Sequence, residues 1–256
     1  MIYIRTILFY IYCVWSIATK TIFYMNKATK WRKEGNKEEL DNFFVNKIYH
    51  KTVRNILNIS GVVVEVDGIE NVPIDGPLVF ISNHQGNFDV IALVSSMNRR
   101  AGFIVKKELR DIPYLGTWIE NMGSLFIDRG NVRQSAQIIS EAIDYISAGN
   151  AMMIFPEGTR SKSDIVGEFK SGSFKIATKS GAMIVPVSIS GSFKIMEANK
   201  GKVKPGKIKI KYHKPIPTKG MSREDMNEIH NTVREIIVKG MEENNKVQST
   251  ENKEQI

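Results

Sequence analysis

The stretch LVFISNHQGNFDVIALVSSM, residues 78–97, decides how the chain is built. Leu78 to Ser82 is a short apolar run that reads as a buried strand, and the apolar run from Phe88 to Met97 reads as a helix. Between them lies the polar loop Asn83 to Asn87, which carries a histidine and a glycine. A strand that feeds a helix through such a loop is the unit of an α/β sheet, and loops at strand ends are where a sheet offers groups for chemistry. His84 stands at that place.

The same alternation continues on both sides. Val62 to Val66, Phe103 to Val105, Ser124 to Ile127, Met152 to Phe155, Ile184 to Ile189 and Lys207 to Tyr212 are further strand candidates, so the expected fold is α/β, a mixed central β-sheet flanked by helices. In the last strand Lys207, Lys209 and Lys211 alternate with Ile208, Ile210 and Tyr212, the pattern expected of an edge strand with one wet face. Asn131 can cap a helix that carries Val132, Ala136, Ile139, Ile143 and Ile146 on one side and stops at Gly149. Ser222 opens another, with Met226, Ile229, Val233, Ile236 and Ile237 apolar. Three segments result: an N-terminal helical module over residues 1–60, an α/β domain over 61–241, and a polar tail over 242–256 whose composition predicts disorder.

The chain has 256 residues, 42% of them hydrophobic, enough for one sizeable core. Its 36 Lys and Arg against 27 Asp and Glu give a formal charge of +9, which favours partners rich in phosphate without choosing among them. The basic residues are interleaved with buried strands and form no helix-borne cluster with stacking aromatics, so nucleic acid is not expected as a partner. The one cysteine, Cys13, excludes a disulfide framework, and His50, His84, His213 and His230 lie at no metal-ligand spacing. No metal is expected.

Residues 6–19 are uncharged, lie between Arg5 and Lys20, and are followed by the apolar cluster Ile22 to Met25. The uncharged run alone would make a helix about 21 Å long, short of a hydrocarbon core of about 30 Å. A helix dipping into one leaflet is the favoured reading, a tilted single span of residues 2–25 the second, and a signal peptide the third. Residues 26–60 carry eight Lys and Arg against four acids, which suits an anionic cytoplasmic leaflet. Within them Leu40, Phe44 and Ile48, then Tyr49, Val53 and Ile56, recur at helical spacing, giving a second amphipathic helix that packs on either a membrane or the domain.

Chemistry is concentrated in three places. Five positions on one continuous helix would turn the side chains of His84 and Asp89 about 140° apart. They meet only if the chain breaks at Gly86 and a helix capped by Asn87 puts Asp89 in its first turn. Asp89 would then fix the imidazole tautomer and raise its basicity, which makes a general base. The second place is MMIFPEGTRS, residues 152–161, where a buried strand opens through Pro156 and Gly158 into a loop with Glu157, Thr159, Arg160 and Ser161. Arg160 there offers a planar fork for phosphate oxygens. The loop lacks the pattern of a nucleotide-binding P-loop. The third is residues 105–131, in which Lys106, Lys107, Arg110 and Arg129 follow two strand candidates and could join Arg160 around one phosphate. Each place also has a plain reading, as a structural histidine, a solvated turn or surface lysines.

Taken in order, the blocks NHQGNFD (Asn83 to Asp89), GSLFIDR (Gly123 to Arg129), FPEGTRS (Phe155 to Ser161) and VPVSISG (Val185 to Gly191) resemble the 1-acylglycerol-3-phosphate acyltransferase family across residues 60–215. The resemblance implies transfer of an acyl chain from acyl-CoA or acyl carrier protein to the sn-2 hydroxyl of lysophosphatidic acid, giving phosphatidic acid. It implies His84 as base and Asp89 as its orienting partner. Arg129, Glu157, Gly158 and Arg160, in company with Thr159 and Lys106, would bind the glycerol phosphate. No cofactor is implied, and the N-terminal helices look like a membrane-docking module at the cytoplasmic face. Glycerol 3-phosphate or another lysophospholipid is the alternative acceptor, water the alternative in a hydrolase, and a non-catalytic protein that binds anionic membranes the reading from another class.

Overall fold

A computed structural model describes the backbone of residues 1–128 and 130–254 and the side chains of residues 1–128 and 130–246. The chain opens with one long helix, α1 (Ile2–Lys33), which the Gly35 turn leads into α2 (Lys37–Phe43). A π-helical segment, Phe44–Val53, connects α2 to α3 (Arg54–Ser60). The wider turn of that segment accounts for the break in the apolar spacing between Ile48 and Tyr49. Leu40, Phe44, Tyr49, Val53 and Leu57 are all buried in the main core, so this second helical stretch packs on the domain.

There follow β1 (Val62–Asp67), β2 (Leu78–Ser82), α4 (Phe88–Ser96), β3 (Ala101–Lys106), α5 (Leu115–Asn121), β4 (Leu125–Ile127), α6 (Val132–Ser147) and β5 (Ala151–Ile154). The chain ends with α7 (Ser171–Ser180), β6 (Met183–Ser190), β7 (Gly206–Tyr212), β8 (Ile216–Pro217) and α8 (Arg223–Glu254). The strand order is β1-β7-β6-β2-β5-β3-β4, with β8 paired to β6. Pairings are parallel except those of β6 with β7 and β8, so the sheet is mixed.

Both faces are covered. Leu78 and Phe80 of β2 point into a core shared with α1 to α4, whereas Val79 and Ile81 point into one shared with α6, α7 and α8. This is why Leu78 to Ile81 are fully buried without any polar alternation. The helix after β2 lies on the first face and the helix after β5 on the second, so the chain parts at the carboxyl ends of these neighbouring strands and leaves a crevice there.

Some expectations are corrected. β7 is not an edge strand: it lies between β1 and β6, and β1 is the edge. Its lysines are accommodated because Glu65 and Asp67 stand opposite on β1, with Lys207 2.6 Å from Glu65 and Lys211 3.7 Å from Asp67 and 2.8 Å from Glu243 of α8. The short helices α5 and α7 have too few apolar positions to announce themselves. α8 runs to Glu254 through the polar stretch after Glu242.

Candidate active site

The loop after β2 is non-helical from Asn83 to Gly86 and enters α4 at Phe88, as the His84–Asp89 spacing demanded. The imidazole folds back so that His84 Nδ1 lies 2.6 Å from Asp89 Oδ2. Asp89 is fully buried, in the first turn of α4, and is surrounded by donors. Gly86 N–H donates to Oδ2 at 2.8 Å and the Ser192 hydroxyl donates to Oδ1. A carboxylate oxygen in this position accepts the imidazole N–H, which puts the ring proton on Nδ1. Nε2 is then left as the basic nitrogen. The ring of His84 stacks on Phe155 at 4.1 Å between centroids, an apolar wall that limits its rotation and its access to water.

Asn87 occupies the helix N-cap position, but its side chain does not cap α4. It accepts from Arg160 Nη1 at 2.5 Å, and Arg160 also meets Glu197 Oε1 at 3.2 Å. Glu197 Oε1 in turn accepts the Asn87 N–H at 2.8 Å. A Cβ at position 86 would press on the Glu197 carboxylate and displace it from Asn87 and Arg160. The cation of the second loop is thus brought to the turn that carries the His–Asp pair.

Glu157 is held by two backbone N–H groups. Its Oε1 accepts the His84 N–H at 2.6 Å and its Oε2 accepts the Gly167 N–H at 2.9 Å, so both oxygens face backbone inside the protein and neither faces the crevice. Burial pushes its carboxyl above the usual range, against the two N–H groups that favour the ionised form. The loops are stitched further by Ser161 N–H to His84 O at 2.8 Å and Lys162 N–H to Gln85 O at 3.1 Å. Gly158 takes a left-handed φ of 71°, which lets the chain double back between these bonds.

The remaining candidates disperse. Thr159 is exposed in the same loop, and Lys106 is exposed at the carboxyl end of β3, on the same end of the sheet but with β5 between it and β2. Lys107 pairs with Asp128 at 2.6 Å, and the guanidinium of Arg110 lies over Phe126 at 4.6 Å, away from Arg160. Arg129 lies outside the described residues. Among the described residues no group of histidine, cysteine, aspartate or glutamate is arranged to hold a metal ion.

Residues that sequence reasoning passed over complete the site. Asn83 bridges β2 to β6 through Ile189, with bonds of 2.9 and 2.8 Å in both directions. Gln85 accepts from Ser192 N–H at 3.2 Å and donates to Asp164 at 3.2 Å. Asn83 and Gln85 flank His84 inside its own block, and Ser192 directly follows the fourth block, so adjacency was a usable signal for these three. Glu197 lies outside every block and had none.

Residues 63–190 match a family model described as Acyltransferase. The chain is 35% identical over 207 residues to the probable 1-acyl-sn-glycerol-3-phosphate acyltransferase of Mycoplasma pneumoniae, which covers 74% of this chain and 75% of that protein. It is 34% identical over 155 residues to a chloroplastic 1-acyl-sn-glycerol-3-phosphate acyltransferase of Arabidopsis thaliana, covering 60% of this chain. The chain spans less than half of that plant protein, 43% of its length. Its fold matches the crystal structure of the 1-acyl-sn-glycerophosphate acyltransferase PlsC from Thermotoga maritima with a TM-score of 0.76 and 31% identity, covering 95% of this chain and 97% of that one.

Proposed function

The chain belongs to the acyltransferase family, within its 1-acyl-sn-glycerol-3-phosphate acyltransferases, and from that membership we propose that it moves an acyl chain from a thioester to the sn-2 hydroxyl of 1-acylglycerol 3-phosphate, giving phosphatidic acid. The observation that carries the reading is the 2.6 Å contact of His84 Nδ1 with the buried Asp89, set beside Arg160. His84 Nε2 takes the proton of the acceptor hydroxyl as the oxygen attacks the thioester carbonyl, and passes it to the sulfur as the tetrahedral intermediate collapses, the C–S bond breaks and the thiol leaves. A thioester is already activated, so no covalent acyl-enzyme is needed. Arg160 holds the acceptor's phosphate, with Gly158 and Thr159 beside it in the same loop. Glu157 acts from behind, by fixing the backbone of His84.

The donor is acyl-CoA or acyl carrier protein, and the site lies at the cytoplasmic face of the membrane. α1 is 32 residues long, and its most apolar window has a mean hydropathy of 1.5 and is only 11% buried, so by length and composition it is able to cross a membrane. Polar contacts run along it, however: Thr6 accepts from Val203 N–H at 2.9 Å, Thr21 from Trp118 Nε1 at 2.8 Å and Thr29 from Asn121 Nδ2 at 3.0 Å. Thr6 and Thr29 are roughly 35 Å apart along the helix axis. A helix held to the body over that distance lies in the plane of one leaflet and offers Ile4, Ile7, Leu8, Ile11, Val14, Trp15, Ile22 and Phe23 to lipid.

The deciding experiment is transfer of radiolabelled acyl groups by purified protein, with lysophosphatidic acid, glycerol 3-phosphate and neutral lysolipids as acceptors and both thioesters as donors. Turnover of lysophosphatidic acid that is lost in His84→Ala supports the proposal. Turnover of another acceptor with none of lysophosphatidic acid overturns it.

A further inference from the structure

A second cationic cavity lies far from His84. Its volume is about 610 Å³, and it opens beside the edge strand β4, between the last turn of α1 and the end of α6. β4 is three strands from β2, roughly 14 Å across the sheet at the usual strand spacing. Arg100, Gly123 and Asn150 on its wall precede β3, β4 and β5, so it faces the end of the sheet opposite to the catalytic loops.

Its charged lining is Arg32, Lys37, Arg100 and Arg110 with Glu120 and Glu141, positive on balance, and the arginines fall into two sets. Arg100 is already engaged, to Asp41 at 2.5 Å, Met122 O at 3.0 Å and the Tyr145 hydroxyl at 3.2 Å, and forms a fixed positive floor. Arg32 and Arg110 are under-used. Arg32 reaches Glu120 only at 3.4 Å, and about a third of its side chain, 34%, stays exposed, so the rest of its fork is open to an anion in the cavity. The Arg110 guanidinium lies over the Phe126 ring at 4.6 Å and forms part of the cavity wall. The Tyr145 oxygen accepts from Arg100, and its own proton remains to be donated. Trp31 of α1 supplies an apolar wall next to these donors.

We infer that this cavity binds a phosphate ester through Arg32, Arg110 and the Tyr145 hydroxyl, at a site separate from the acyl-transfer centre. Several convergent donors with net positive charge suit a tetrahedral oxyanion. The lipid headgroup is the source that the position favours: Trp31 and Arg32 lie on the same helix as the exposed apolar stripe that ends at Phe23, about 13 Å away along the axis. The inference does not depend on the reaction assigned to His84.

The test is titration calorimetry in neutral detergent with short-chain phosphatidic acid and with inorganic phosphate. It is done on the full chain carrying Arg160→Gln, which silences the anion contact at the catalytic loop. Binding of phosphatidic acid is expected to survive in that variant and to weaken by about tenfold or more when Arg32→Gln and Arg110→Gln are added. Tyr145→Phe, which keeps the ring, weakens it by a smaller factor. Arg32→Gln with Arg110→Gln alone keeps its thermal melt and its acyl transfer in detergent, which separates loss of the site from loss of the fold. Inorganic phosphate binding about tenfold more weakly than phosphatidic acid assigns the site to a lipid headgroup, and equal binding assigns it to free phosphate. No binding of either probe, or equal binding with and without the arginine substitutions, overturns the inference.

Discussion

Replacing Glu157 by glutamine separates two roles that a motif glutamate could have. If Glu157 binds substrate, the change raises KM and leaves the fold alone. The structure predicts the opposite, because Oε1 and Oε2 accept the N–H groups of His84 and Gly167 at 2.6 and 2.9 Å. Glutamine keeps one acceptor and turns an N–H₂ group toward the other backbone N–H, leaving a buried donor facing a donor. A hydrogen bond to a charged acceptor is worth roughly 1.5–3 kcal/mol, and an orphaned buried group costs about 1–3 kcal/mol. Against this, burial already disfavours the ionised carboxyl, so neutralising it recovers part of the loss. A net destabilisation of about 2–3 kcal/mol follows, and for a chain of this size that lowers Tm by roughly 4–12 °C. The backbone of His84 shifts with it, and displacement of a base by a fraction of an ångström up to 1 Å costs on the order of 10–100-fold in kcat. Initial rates with lysophosphatidic acid and acyl-CoA, run beside a thermal melt, read both effects. A tenfold rise in KM with kcat and Tm unchanged would refute this reasoning and return Glu157 to the substrate.

Further outcomes are expected. Asp89→Asn leaves the shape of the pair but offers a donor where Nδ1–H needs an acceptor, so kcat falls by about 10²–10⁴; a loss under threefold would remove Asp89 from the mechanism. Ser192→Ala, which takes one donor from Asp89, lowers kcat by about tenfold, and Ser192→Thr, which keeps the hydroxyl, restores it; equal rates for Ser192→Ala and the parent would show that this bond does not position the pair. Gly86→Ala abolishes activity by driving a methyl group into Glu197, and a second change, Glu197→Ala, recovers part of it; simple additivity in this double-mutant cycle would show that the two do not touch. His213, 2.8 Å from Ser188, is held by burial down to a pKa of about 4, below the ~6.5 of an unfolded histidine. The unfolded chain therefore binds the extra proton first as pH drops. This contribution to stability is whole above pH ~6.5 and is lost as pH falls through about 4, so melts of His213→Gln should vary less with pH over that window than those of the parent.

Much of the fold was legible because its signals are local. Leu78 to Ile81 is apolar at every position since it is covered on both faces, and that continuity is visible in the letters alone. The alternating lysines of β7 misled for the same reason. They read as a wet edge, whereas Glu65 and Asp67 satisfy them from a strand about 145 residues earlier, and no local pattern reports such a partner. In the site, His84 and Asp89 were legible from spacing and a glycine break. Glu197 was not, since it reaches Asn87 and Arg160 from a segment with no pattern of its own.

The sequence by itself determined the α/β class, the loop that must break at Gly86 and the residues able to carry a proton, because these depend on backbone geometry over a few positions. Only the tertiary structure decided that Glu157 turns inward to His84 N–H while Arg160 turns to Asn87, and that Arg110 lies over Phe126 rather than beside Arg160. Those choices were made between segments far apart in the chain. Each was fixed by which buried donor or acceptor had to be satisfied where the segments met.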